Sequence, residues 1–194
     1  ARCISFEPIP TTYADLLANI RLNGIEHLAV PLAAAVGNVN GDALCTTRKG
    51  AENAILSSDM SGDSEAVTVR MVRMDDVLDG QIPTMLKVDV EGFETQVVNG
   101  GRKILGDPSL RAAILELRGH GRRYGFDEDA LHQTMLQLGF RCCRYDPAAR
   151  ELVAGEATMQ TDSGNVLYVR NVLGARRLVQ DAPKFMMRRF ATSV

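Results

Sequence analysis

An α/β fold is predicted, built on a mostly parallel sheet with helices on both faces. Three observations carry this. Short apolar runs occur at Cys3 to Phe6, Met85 to Val90 and Ala112 to Leu117, and segments with helical spacing lie between such runs. Glycine and proline punctuate almost every junction, at Glu7-Pro8, Gly24, Gly100-Gly101, Asp107-Pro108 and Gly139. A sheet wound this way binds ligands outside the carboxyl ends of its strands, so residues at those ends are the ones to weigh.

Cys3 to Phe6 reads as a buried strand halted by Glu7-Pro8, because the residue before a proline is pushed out of the helical region. Tyr13, Leu16, Leu17 and Ile20 share one helical face, Thr12 with Asp15 resembles a capping box, and Gly24 terminates the helix. Leu28 to Leu32 is a second strand, where Pro31 predicts a strand end or edge. Gly37 to Asp63 is rich in turn residues and reads as an exposed excursion; its weak strand at Ala43 to Thr47 pairs with the alternating Val67, Val69 and Met71 as a small antiparallel insertion. Met85 to Val90 leads through Glu91-Gly92 into a helix bearing Phe93, Val97 and Val98. Asp127 opens a helix with Leu131, Met135 and Leu138 on one face, and Phe140 to Tyr145 and Asn165 to Arg170 are the closing strands, separated by a polar stretch.

A single domain over residues 1–170 is expected, followed by a basic tail or helix over 171–194. The tail carries Arg176, Arg177, Lys184, Arg188 and Arg189 among apolar residues; it reads either as a surface-seeking amphipathic helix or as a solvated helix packed on its own domain. With 22 basic and 24 acidic residues the net charge is -2, which gives no field to recruit nucleic acid or an anionic membrane, and a small molecule is the expected partner. No apolar run approaches the roughly 20 residues of a membrane span, and there is no signal-peptide pattern. Cys3, Cys45, Cys142 and Cys143 lack metal-ligand spacing and read as reduced thiols in a cytoplasmic protein, the adjacent pair facing opposite sides of a strand. No metal is assigned.

Glu7, Asp89, Glu91 and Glu116 all stand where strands run out, and a wound sheet gathers those ends on one edge. Glu7 can bind both hydroxyls of a ribose, or cap the helix that follows it. Asp89 and Glu91, one residue apart, would point the same way in a regular strand, as a pair able to take a proton or bind a divalent cation; alternatively one caps the next helix while the other is solvated. Glu116, Arg118 and His120 follow the next strand with Gly119 and Gly121 between them, and His120 is either a base or an ordinary surface residue. Lys87 is unexpected inside an apolar strand and either reaches the site or extends to the sheet's end. Neither a phosphate-binding glycine loop nor a nucleophile motif occurs.

The string Leu86-Lys87-Val88-Asp89-Val90-Glu91-Gly92-Phe93-Glu94, with Val98-Asn99-Gly100-Gly101 and Ile114-Leu115-Glu116-Leu117 after it, resembles the signature of the FkbM-type methyltransferases. Phe6-Glu7-Pro8, Asn19-Ile20, Leu22-Asn23, Ala35-Val36-Gly37 and Met74-Asp75-Asp76-Val77-Leu78 extend the likeness upstream. Leu138-Gly139-Phe140 and Asn165 to Val169 extend it downstream, so it covers almost all of the chain to Arg170. The resemblance implies a class I methyltransferase fold, Rossmann-like, that moves a methyl group from S-adenosylmethionine to a hydroxyl oxygen of a sugar or natural product. Carried over by position, Glu7 would bind the cofactor ribose and Asp89 would line the cofactor and the methyl-transfer crevice. Glu91, Glu116 and His120 would stand on the acceptor side, with Asp89, Glu91 and His120 as catalytic candidates.

One departure accompanies the resemblance. Ahead of the Phe-Glu-Pro strand the family carries a further strand and an acidic glycine-rich loop that hold the methionine end of the cofactor. The chain has no counterpart, so the expectation is a domain N-terminally incomplete as given, with the strands ending at Glu7 and Asp89 each lacking an inner partner. Two readings compete with a methyltransferase: a non-catalytic module of the same fold that binds a ligand without the loop, and a dinucleotide or nucleotide-sugar enzyme, which would need its own glycine-rich loop.

Overall fold

The computed structural model describes residues 1–47, 53–56, 65–155 and 164–183. Part of the Gly37 to Asp63 excursion, and Lys184, Arg188 and Arg189 of the tail, lie outside the described residues.

Strand β1 (Cys3–Phe6) and strand β2 (Ala29–Leu32) pair in parallel, from Cys3 against Ala29 to Phe6 against Leu32, with helix α1 (Pro10–Leu22) as the crossover. The Thr12 and Asp15 capping box does not form. The helix starts earlier, with Pro10 in its first turn and Ile9 as the N-cap, because a proline supplies the helical φ and has no N–H to satisfy. Glu7 Oε1 accepts from the Ile9 N–H at 2.8 Å and orders this entry. On the inward face Ile20 is buried, and Tyr13 Oη donates to the Pro31 carbonyl at 3.3 Å. Among the described residues β2 bonds to β1 alone, so the N–H missing at Pro31 breaks no second ladder.

The insertion has one strand more than the sequence suggests. Strand β5 (Ala66–Arg73) runs antiparallel to β4 (Gly41–Thr46) as expected, but its other edge pairs in parallel with the three-residue β3 (Ala35–Gly37). Val69 and Met71 point inward while Thr68 and Arg70 are exposed, which is the period-two alternation of a half-buried strand.

The largest sheet has the order β6 (Met85–Val88), β7 (Ala112–Glu116), β10 (Asn165–Val169), β8 (Arg141–Asp146), β9 (Glu151–Ala154). Only β6 and β7 are parallel; β10 is antiparallel to both β7 and β8, and β8 to β9. The expectation of a mostly parallel sheet is therefore corrected to a mixed one. The physical reason is the connection between β8 and β9, whose few residues permit a hairpin and no crossover. Strand β9 lies in the stretch read as polar, since only Leu152 of its four residues is buried.

Both faces of this sheet are covered. On one, Ala113, Leu115, Val166 and Tyr168 meet Val97 and Val98 of α3 (Glu94–Gly100), Ile104 and Leu105 of α4 (Arg102–Gly106), and Leu131 and Met135 of α5 (Glu128–Gln137). Each buried Val, Leu, Ile or Met among them contributes about 1.5–3 kcal/mol by burial. His132 of α5 belongs to this core, its Nδ1 2.9 Å from Tyr168 Oη. On the other face Leu167, Val169, Cys143 and Leu152 pack against Val172 and Ala175 of α6 (Val172–Asp181). Helix α6 is tied down by Arg176 Nε donating to the Leu152 carbonyl at 2.6 Å and Arg150 Nε to the Val179 carbonyl at 2.9 Å. Cys142 and Cys143 accordingly enter different clusters, and none of the four cysteines is in a disulfide.

Two polar side chains brace the frame. Asp75, in α2 (Met74–Val77), accepts from the Lys103 and Ile104 N–H groups at 3.1 and 3.0 Å and so caps α4. Arg170, just past β10, donates to the carbonyls of Leu105, Leu110 and Leu138 and lies 4.2 Å over the Phe140 ring, closing the ends of α4 and α5.

Among the described residues, β1 bonds only to β2 and β6 only to β7, yet the carboxyl ends of β1 and β6 line one cleft.

Candidate active site

Strand β6 ends at Val88, so Asp89 is the first residue beyond the sheet. The turn that follows is unusual: Glu91 has φ +55° and Gly92 φ +95°. Asp89 and Glu91 are thus not related by the strand alternation that one of the two alternatives required. The turn rather than the pleat brings their carboxylates together.

Glu94 holds that turn. Its side chain is buried, and Oε1 accepts from the N–H groups of Val90 at 3.1 Å and Gly92 at 3.3 Å. Burial pushes its carboxyl above the usual range, with those backbone donors opposing. Gly92 is required on two counts: its positive φ, and the nearness of the His120 carbonyl, since a Cβ would lie 2.6 Å from His120 C and O. Behind it, α3 meets β3 backbone to backbone, for a Cβ on Gly100 would fall 1.8 Å from the Gly37 carbonyl oxygen. The glycines of the quoted strings therefore serve close approach.

The turn and the end of β7 gather Asp89, Glu91 and Glu116, with carboxylate oxygens within 4.8 Å of one another. Each acid has a basic neighbour of its own: Lys87 Nζ is 2.6 Å from Asp89 Oδ2, His120 Nδ1 is 3.0 Å from Glu91 Oε2, and Arg118 Nε is 3.0 Å from Glu116 Oε1. The acid spacing suits a hard divalent cation, but these three neighbours already face the carboxylates, so no metal is assigned. Asp89 and Glu116, with carboxylate oxygens within 4.8 Å of each other, differ in their hold on a proton. Burial alone would raise Asp89, but hydrogen bonds from Lys87 and Glu116 and the charges of Lys87 and Arg118 take its carboxyl below the usual range. Burial and the neighbouring Asp89 raise Glu116 despite Arg118.

The cleft beyond Asp89 has a volume of about 170 Å³. Glu7, Asp89 and Glu91 supply its charge; Phe6, Ile9, Ala34, Ala35 and Phe93 are among its apolar walls. Cys45 also lines it, its thiol pushed up to about 11 by burial and then by the charge of Glu7. On the far side of Phe93 lie Tyr124 and Phe126, with ring centroids 5.3 and 6.3 Å from that of Phe93. Tyr124 Oη donates to the Ile55 carbonyl at 2.7 Å, which ties the 3-10 helix His120–Tyr124 to the insertion.

Of the residues expected from sequence, Glu7, Asp89 and Glu91 share the cleft, Glu116 adjoins Asp89 and Glu91, and His120 enters through Glu91. Glu7 also bonds the helix entry, so one of its oxygens is spoken for. Sequence reasoning missed the turn-holding role of Glu94 and the aromatic group. A third acid directly after Glu-Gly-Phe was the available signal for the former, and Tyr124 and Phe126 offered none because their contacts are remote in sequence.

Comparison with known proteins accords with this geometry. No curated protein matches the chain. Among solved structures, it is similar to that of Methyltransferase FkbM from Methylobacillus flagellatus KT, with 15% identity and a TM-score of 0.53, over 87% of this chain. The chain spans only 36% of that protein's length, and at this identity the likeness speaks to fold alone. The family model described as "Methyltransferase FkbM domain" matches residues 1–142. With the match covering most of its 194 residues, the chain belongs to the FkbM methyltransferase family.

Proposed function

We propose that this chain transfers the methyl group of S-adenosylmethionine to a hydroxyl oxygen of a small-molecule acceptor, a sugar or natural product. The observation that carries the reading is the convergence of Glu7, Asp89 and Glu91 on one cleft in a chain of this family. The donor set suits the nucleoside end of the cofactor: a carboxylate for a ribose diol beside an apolar wall that includes Ala34 and Ala35. The volume of about 170 Å³ is smaller than the roughly 300–1,000 Å³ of a complete small-molecule site, so these walls accommodate that end alone.

When bound, the cofactor supplies a methyl carbon on a positively charged sulfur. Glu7 holds the ribose through the oxygen that Ile9 does not engage. Asp89 lines the cofactor side. His120, in the tautomer that donates Nδ1–H to Glu91, presents Nε2 to take the proton of the acceptor hydroxyl, and Glu91 orients the ring. Glu116 stands beside them on the acceptor side. Alignment is the larger contribution, since fixing the reacting groups supplies roughly 7–11 kcal/mol against about a hundred- to ten-thousand-fold for the base.

The test is incubation with methyl-labelled S-adenosylmethionine and a panel of hydroxylated acceptors. Label on an acceptor oxygen, reduced at least about a hundredfold by His120→Ala, is the expected result. Transfer to nitrogen or carbon, or equal transfer by His120→Ala, would overturn the assignment.

A further inference from the structure

Lys87 is left unused by this mechanism, and its place in the fold calls for a reason. It sits in β6 between Leu86 and Val88, and its side chain is 46% exposed beside an Asp89 side chain that is 45% exposed. An ion pair so open to solvent does little for stability. Its geometry is nevertheless tight, at 2.6 Å.

The groups that face Asp89 come from several elements: Lys87 from β6, Glu91 from the turn, Glu116 and Arg118 from the end of β7, with His120 behind Glu91 and Glu7 across the cleft. Two carboxyls whose oxygens lie within 4.8 Å of each other do not ionise together cheaply, so the surroundings decide which of the two holds a proton the longer. Each carboxyl has one cation, the Lys87 ammonium at 2.6 Å from Asp89 and the Arg118 guanidinium at 3.0 Å from Glu116, so the difference lies in the shorter Lys87 contact and in burial: the Glu116 side chain is 8% exposed against 45% for Asp89.

We propose that Lys87 is a positioning residue of the site: its ammonium holds Asp89 as the charged member of the Asp89 and Glu116 pair and so keeps the proton on Glu116. The directions of the two carboxyls, Asp89 below its usual range and Glu116 above, agree with this. An ionised Asp89 presents negative charge to the cofactor. The assignment of sides rests on the methyl-transfer reading; the assignment of charge rests on the contacts alone.

The experiment is a carboxyl carbon-13 NMR titration of the full chain, with the two signals identified through Asp89→Asn and Glu116→Gln. Asp89 is expected to titrate below the ordinary range and Glu116 above it. Lys87→Gln and Lys87→Met should each raise Asp89 and lower Glu116, and Lys87→Arg should restore the separation. An unchanged separation in both neutral variants, with only a lower melting temperature, would overturn the proposal. S-adenosylmethionine titrated into the same samples and into any longer form the gene encodes keeps the two ideas apart: no cofactor binding by either form with the Lys87 effect intact sinks the methyl-transfer reading and leaves the role of Lys87 standing.

Discussion

Gly92→Ala tests the turn on which the site depends. Glycine at φ +95° pays no Cβ penalty, whereas an L residue there costs about 1–2 kcal/mol. The added Cβ would also lie 2.6 Å from His120 C and O and 3.0 Å from Gly121 N, all backbone atoms that no rotamer change can move aside. Overpacking of this kind typically costs about 1–3 kcal/mol. Together the loss is about 2–5 kcal/mol, a large share of the roughly 5–15 kcal/mol that keeps a domain folded. Gly106→Ala is the matched control, at the end of α4 where a Cβ meets nothing within 4 Å; it should be neutral or stabilising by up to about 1 kcal/mol. Urea unfolding followed by circular dichroism suits a chain without tryptophan. A Gly92→Ala loss under about 1 kcal/mol, or a loss no greater than that of Gly106→Ala, would refute the packing argument.

Four further outcomes are expected. Glu94→Ala orphans the Val90 and Gly92 N–H groups and should cost about 2–4 kcal/mol. Because the folded carboxyl of Glu94 is raised, the folded state holds its proton more tightly than the unfolded chain. Relative to Glu94→Gln, the native chain should therefore lose stability as pH rises from the ordinary glutamate range through the raised value, as denaturant midpoints measured across that range would show. Arg170→Met leaves the carbonyls of Leu105, Leu110 and Leu138 without their common donor and should lower unfolding free energy by at least about 3 kcal/mol. In native alkylation read by mass spectrometry at pH 8, exposed Cys3 should react first, while Cys45 and Cys143, both buried and pushed up to about 11, should stay protonated and unmodified.

How far the sequence revealed the fold depended on whether a signal was local. The apolar runs of β1, β6 and β7 and the Asp127 cap of α5 are properties of a few neighbouring residues, and the structure has them close to where they were expected. Direction was illegible: nothing in Asn165 to Val169 says that this strand enters the sheet antiparallel between β7 and β8. Strand β3 is only three residues long, and β9 buries one of four, so neither gives a periodic signal. The Thr12 and Asp15 pattern was real as a pattern, but Pro10 started the helix before it could act. At the site, the acids were visible because each ends a strand or begins a turn. Their arrangement was not, since it depends on a left-handed Glu91 and on a contact between Glu91 and His120 across 29 positions.

The most direct measurement of the central claim is calorimetric binding of S-adenosylmethionine to this chain and to any longer form its gene encodes, each with and without Glu7→Ala. The account predicts binding by at least one form, weakened about ten- to a hundredfold by Glu7→Ala as a charge-assisted pair of hydrogen bonds is lost. Binding that ignores Glu7→Ala would remove Glu7 from the cofactor site. No binding by either form would contradict the account and leave a methyltransferase-like module that does another task.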